Sequence, residues 1–123
     1  MNLVDSSGWL EYLANGRNAA FFAPALEDAA DLLVSTINVY EVFTRVLQQR
    51  GEDAALQAAA LMQQATVVDV TLPIALDAAK LTAELKLQMA DSLILATARA
   101  HGATVWTEDA YFDGLPDVRF TRK

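Results

Sequence analysis

The chain has 123 residues, enough for one ordinary core and too few for two, and its 54% hydrophobic and 20% charged residues exclude a disordered or low-complexity segment. It contains no cysteine, which rules out disulfides, thiolate nucleophiles and cysteine-ligated zinc and points to a reducing, cytoplasmic setting. A formal charge of −7 leaves no electrostatic footprint for nucleic acid, and no apolar run approaches the roughly 18 residues of a membrane span, so neither direct DNA binding nor membrane insertion is expected.

Asn2-Leu3-Val4 is a short apolar run closed by Asp5-Ser6-Ser7-Gly8, and Trp9-Leu10-Glu11-Tyr12-Leu13 then has helical spacing, so the chain opens as strand, turn, helix. Asn15-Gly16 ends that helix. A second helical segment, Ala19 to Ala30, tolerates Pro24 only near its start or as a kink and leads into Asp31-Leu32-Leu33-Val34-Ser35-Thr36, a buried strand. A third helix, about Ile37 to Gln49, presents Val39, Val42, Phe43, Val46 and Leu47 as its apolar face. Gly51 stops it. Glu52 to Gln64 is an alanine-rich helix, and Thr66-Val67-Val68-Asp69-Val70 is a third strand rich in β-branched residues. Pro73 opens a helix carrying Ala75, Leu76, Ala79 and Leu81 towards Lys86, and Met89 to Ala100 is a further helix stopped by His101-Gly102. Ala103-Thr104-Val105-Trp106 is a fourth strand, Ala110 to Gly114 one short helical turn, and Val118-Arg119-Phe120-Thr121 a fifth strand. Strands separated by helices along the whole chain predict an α/β fold of one domain over residues 1–123, a mainly parallel sheet of about five strands with helices on both faces.

In such a sheet Asp5 and Asp109, which both follow strands, reach the same carboxyl edge although about a hundred residues separate them in sequence. Asp91 opens the helix that feeds the fourth strand and therefore starts at that edge too. It also leads the core-facing stripe Asp91, Ile94, Leu95 and Ala98, where an ionised carboxylate loses hydration unless a partner compensates. The competing reading makes Asp91 the N-cap of its helix. Glu41 lies opposite the apolar face of the third helix, and periodicity alone makes it a solvated residue paired with Arg45 at i+4. Clustered carboxylates in a partly buried site repel one another unless a cation sits among them, and a hard divalent ion such as Mg²⁺ takes such oxygen ligands. That arrangement supports phosphodiester hydrolysis, with the ion activating water and stabilising charge on the attacked phosphate. A phosphatase or nucleotide hydrolase would show an Asp-x-Asp pattern after the first strand or a Gly-rich phosphate loop, and neither is present. His101, the only histidine, sits in a turn and reads as solvated.

Four stretches, Val4-Asp5-Ser6-Ser7, Asn38-Val39-Tyr40-Glu41-Val42, Ala90-Asp91-Ser92-Leu93-Ile94-Leu95-Ala96-Thr97-Ala98 and Val105-Trp106-Thr107-Glu108-Asp109-Ala110-Tyr111-Phe112, resemble the PIN-domain ribonucleases. With its single-domain length the chain is similar in particular to the VapC toxins of bacterial type II toxin–antitoxin pairs, over essentially its whole length. The resemblance implies a PIN-like three-layer α/β/α domain and a catalytic, metal-ligating quartet of Asp5, Glu41, Asp91 and Asp109. Thr107 would be the hydroxyl of a Thr-x-Asp motif and Ser6 a supporting residue. It implies Mg²⁺ as cofactor with Mn²⁺ as a substitute, RNA as substrate, a homodimer, and a VapB-like antitoxin that plugs the site and carries any DNA binding. Only the resemblance moves Glu41 away from the solvated reading. Many relatives carry a further acid two residues beyond the Thr-x-Asp aspartate, where this chain has Tyr111; Glu108 and Asp113 are nearby substitutes for a second metal site, each otherwise a solvated turn residue. The competing function is a catalytically silent PIN-like module that acts through protein contacts, for which the apolar and alanine-rich surfaces between Val39 and Met62 are candidate faces.

Overall fold

Every strand connection contains helix, which leaves parallel pairing as the natural arrangement. In the computed structural model, which describes residues 1–123, β1 (Asn2–Val4), β2 (Leu32–Ser35), β3 (Thr66–Val68), β4 (Thr104–Thr107) and β5 (Val118–Phe120) form one sheet in the order β3-β2-β1-β4-β5. All four neighbouring pairs are parallel, with Leu3 registered against Leu33 on one side and Val105 on the other. The helices are α1 (Ser6–Leu13), α2 (Ala19–Leu26), α3 (Thr36–Arg50), α4 (Glu52–Met62), α5 (Leu72–Leu85) and α6 (Met89–Ala100).

The period-two alternation of the strands divides the core into two. Leu3, Leu33 and Val105 point to the side covered by Ile74, Ala78 and Leu81 of α5 and Ile94, Leu95 and Ala98 of α6. Val4, Leu32, Val34 and Trp106 point to the opposite side, packed against Trp9 of α1, Phe22 and Ala25 of α2, Val42 of α3, and Ala55 and Met62 of α4. The result is the three-layer α/β/α arrangement, and the central β1 is covered on both faces. The chain builds outward from β1 through β2 to β3, then returns to β4 on the other side. That reversal opens a crevice at the carboxyl ends of β1 and β4, the position where open α/β sheets bind ligands.

Several element boundaries differ from the sequence reading for identifiable reasons. α1 begins at Ser6, with no intervening turn, because the Asp5 carboxylate accepts the Ser6 N–H at 2.8 Å and caps the helix. Gly8 belongs inside α1, where a Cβ would lie 2.6 Å from both the Phe22 ring and the Val4 side chain. α2 carries Pro24 in its interior and ends at Leu26, and a 3-10 turn over Ala29–Asp31 delays β2 to Leu32. β3 stops at Val68 and, as an edge strand, leaves Thr66 and Val67 exposed. On α5 the buried positions are Ile74, Ala78 and Leu81, while Leu76 and Ala79 face solvent. Leu47 of α3 is likewise exposed. Both helices have apolar residues on more than one side, so packing against the neighbouring helix, rather than periodicity, selects the buried face.

Candidate active site

The four acids named from sequence come together. Asp5 follows β1, Asp109 lies two residues past β4, Glu41 is in the second turn of α3 and Asp91 in the first turn of α6. All four, with Ser6, line one cleft of about 640 Å³. Thr107 ends β4, fully buried behind Asp5.

Asp5 is 4% exposed and accepts three hydrogen bonds: Ser6 N–H on Oδ1 at 2.8 Å, and the hydroxyls of Ser7 at 3.1 Å and Thr107 at 3.0 Å on Oδ2. The Thr107 oxygen in turn accepts the Asp109 N–H at 2.9 Å, so one hydroxyl ties the two edge acids together. Burial pushes the Asp5 carboxyl up to about 6, against the downward pull of those donors. Asp109 caps its own turn, accepting the Tyr111 N–H at 3.0 Å.

Glu41 is held by a network that sequence periodicity did not show. Its Oε1 accepts the Ser6 hydroxyl at 2.7 Å, and Ser6 Oγ accepts from Asn38 Nδ2 at 3.0 Å. Asn38 Oδ1 accepts the Ser35 N–H at 3.1 Å, closing the capping box of α3. A backbone N–H can only donate, so the Asn38 oxygen faces Ser35 and its amide nitrogen faces Ser6. The Ser6 oxygen is thereby occupied as an acceptor, and its one proton goes to Glu41. The expected Glu41–Arg45 pair does not form: no two charged side chains make an ion pair in the structure. Asn38, fully buried, is the residue the sequence reading passed over, and its place three residues before Glu41 on a helix start was the available signal.

Asp91 is not a cap. Gln88 holds that position and Asp91 is the third helical residue, where the helix N-terminus favours negative charge. Half-buried, its carboxyl is nonetheless pushed up to about 7, first by loss of hydration, then by the charges of Asp109 and Asp5 and by a proton-sharing contact with Asp109.

A family profile described as PIN domain matches residues 3–118. The chain belongs to the PIN-domain family. No curated protein sequence matches it. Among solved structures it resembles a toxin–antitoxin complex from Klebsiella pneumoniae, with 26% identity over 97% of this chain and 96% of that one at a TM-score of 0.79. It also resembles the sarcin-ricin-loop-cleaving toxin VapC20 of Mycobacterium tuberculosis, with 22% identity over 97% and 99% of the two chains and a TM-score of 0.79. A third match is to DNA-bound VapBC from Salmonella typhimurium, at 16% identity over 99% and 98% and a TM-score of 0.75. The VapC-type fold expected from the four sequence stretches is therefore present along the whole PIN domain.

The cleft of this PIN domain offers only oxygen ligands, the donor set of a hard cation. No three acidic side chains are gathered tightly enough to form a ready-made cage. Asp5, Glu41 and Asp109 are each tethered by hydrogen bonds, which leaves Asp91 and the second oxygens of Glu41 and Asp109 as the least committed donors. Magnesium fits that set, since it keeps several waters and is held through one or two carboxylates plus substrate phosphate. Glu108 is buried, not a solvated turn residue; burial and the nearby Glu11 raise its carboxyl, and Asn18 Nδ2 lies 3.5 Å away. Asp113 and Tyr111 are exposed, and Asp113 lines an adjoining hollow rather than the cleft. His101 is exposed, its Nδ1 2.9 Å from the Thr97 carbonyl. No helix is long and apolar enough to cross a membrane.

Proposed function

We propose that this PIN domain is a divalent-metal-dependent endoribonuclease, the toxin of a toxin–antitoxin pair, with Asp5, Glu41, Asp91 and Asp109 as its catalytic acids. The observation that carries the reading is Asp91, an acid lining the cleft with no cap to serve, raised to about 7 by burial and by the neighbouring carboxylates of Asp109, Asp5 and Glu41. A structural role would not gather charges that destabilise one another, whereas an ion between them converts that repulsion into binding. Asp91 and Asp109 would hold Mg²⁺, or Mn²⁺ in its place, with the remaining acceptor position on Asp5 as a further ligand. When bound, the ion would supply Lewis-acid stabilisation of the charge developing on the attacked phosphate. Glu41, anchored by the Ser6 hydroxyl and lining the cleft, would orient the attacking water and take its proton. Thr107 positions Asp5 and the Asp109 backbone together.

The solved relatives named as a toxin–antitoxin complex, as VapBC and as a sarcin-ricin-loop-cleaving toxin support a VapB-like inhibitory partner and an RNA substrate, and the absence of cysteine suits a reducing cytoplasm. DNA contact would fall to that partner, and the chain would act as a homodimer. The deciding experiment is cleavage of labelled total RNA by the purified chain with Mg²⁺ or Mn²⁺, against EDTA and Asp91→Asn. Metal-dependent fragments absent from the variant are expected. An intact fold that cleaves nothing and shows no divalent-ion heat in calorimetry would leave the silent binding module, which the hydrogen-bonded tethering of three of the acids favours.

A further inference from the structure

A chain carrying a net charge of −7 would repel a polyanion, yet its cations are unevenly placed. Arg45, Arg50 and Lys123 line the acid cleft, and Arg122 lines the adjoining hollow that shares Glu108 and Asp109 with it; these are four of the nine Lys and Arg residues. The cleft follows the crevice between α1 and α3. Arg45 and Arg50 lie about 6 and 13.5 Å beyond Glu41 along the α3 axis at about 1.5 Å per residue. Both are exposed. Arg45 has an acid one turn back, but that acid is Glu41, already engaged by the Ser6 hydroxyl, so the Arg45 charge stays uncommitted in a chain with 16 acids. Arg119, by contrast, is engaged over the Trp106 ring at 4.4 Å.

Sheet order places the other cations on the opposite flank. α3 leaves the end of β2, and Arg122 and Lys123 follow the end of β5; between them lie the ends of β1 and β4 that carry Asp5 and Asp109. Three inter-strand steps of about 4.8 Å separate the two flanks at the sheet edge, roughly 14 Å. Acids in the middle with cations on either side, Lys123 among them within the field of the Glu108 carboxylate, suit a chain of phosphates that enters on one side and leaves on the other. Helices in contact have axes about 8–10 Å apart, so the crevice between α1 and α3 is dimensioned for a single strand.

We propose, building on the nuclease reading above, that Arg45 and Arg50 bind backbone phosphates of a single RNA strand on one side of the scissile bond, and Arg122 and Lys123 on the other. A strand held on both sides is cut internally. Between Arg45 and Arg50 on the cleft wall, Gln48 and Gln49 offer polar contacts to sugars and bases, and the exposed ring of Tyr40 offers a face on which a base can stack.

The test is fluorescence anisotropy of a short labelled single-stranded RNA bound to the full Asp91→Asn chain, measured over a salt series so that cleavage plays no part. Each of Arg45→Gln, Arg50→Gln and Arg122→Gln is expected to reduce the slope of log K against log salt by about 0.7, and to weaken binding about fourfold at ~0.15 M relative to ~1 M salt. Lys80→Gln and Arg99→Gln, which line neither hollow, are expected to change neither slope nor affinity. In the cleaving background Arg45→Gln is expected to raise KM and leave kcat intact. Unchanged slopes in the α3 variants would overturn the proposal, whether or not the chain cleaves RNA; an unchanged slope in Arg122→Gln would overturn its second flank. Duplex RNA binding as tightly as the single strand would overturn the single-strand assignment. Slopes that fall as expected in a chain that cleaves no RNA would support the phosphate track and refute the nuclease reading alone.

Discussion

Replacing Asp91 by asparagine removes one charge from the cluster without changing its shape, and the metal-free protein should become more stable. In the folded chain the Asp5 and Asp91 carboxyls titrate near 6 and 7, both above their ordinary value of 3.8. The fold therefore favours their neutral forms. Their contribution to stability is fully present below about 3.8 and is lost as pH rises through about 6 and 7, where the ionised pair meets the other acids. For Asp91 the rise from 3.8 to about 7 sets an upper bound of about 4 kcal/mol at 1.36 kcal/mol per pH unit. Its side chain is only partly buried, and water screens the repulsion, so about 1–2 kcal/mol is the expected gain at about pH 7.5. With an unfolding entropy of about 0.26 kcal/mol/K for 123 residues, the melting temperature should rise about 4–8 °C. At about pH 4.5 the wild-type carboxyl is already protonated in the fold, and the difference should shrink to about 1–2 °C. Thermal unfolding in EDTA at the two pH values measures both. Added Mg²⁺ or Mn²⁺ should stabilise the wild type at the higher pH and the variant much less. A variant that melts below the wild type at pH 7.5, or that gains equally at both pH values, would refute the argument that Asp91 is held against charge repulsion.

Thr107→Val removes the donor to Asp5 and the acceptor of the Asp109 N–H, both buried, and should cost about 1–3 kcal/mol. Loss of that donor should push the Asp5 carboxyl further up, moving the acid limb of the cleavage pH profile to higher pH. Asn38→Ala frees the Ser6 hydroxyl to turn away from Glu41 and should lower kcat; in a Glu41→Gln background the same change should cause no further loss, a coupling that a double-mutant cycle reads directly. Additive losses would make Asn38 purely structural. Gly8→Ala places a methyl 2.6 Å from Phe22 and Val4 and should destabilise by about 1–3 kcal/mol in chemical denaturation, with the acid cluster otherwise intact.

The local chemistry of the chain was enough to locate most elements and the edge at which the acids meet. Apolar runs such as Asn2-Leu3-Val4 alternate with helical spacing, and that alternation implies a parallel sheet whose carboxyl ends share one side, so Asp5 and Asp109 were placed together from chain path alone. The four motif stretches then carried the family. Tertiary structure decided what each acid touches. Asp91 reads equally well as a cap or as a site acid until the helix start at Gln88 is known. Glu41 and Arg45 are local neighbours, yet Glu41 is bound to a hydroxyl 35 residues away, and Asp5 to one 102 residues away. The buried face of α5, the burial of Glu108 and the two-sided placement of the cations follow the same rule. Periodicity reports which residues share a face of one element, whereas a hydrogen-bond partner, a desolvated carboxyl or a flanking charge depends on which elements the sheet order brings side by side.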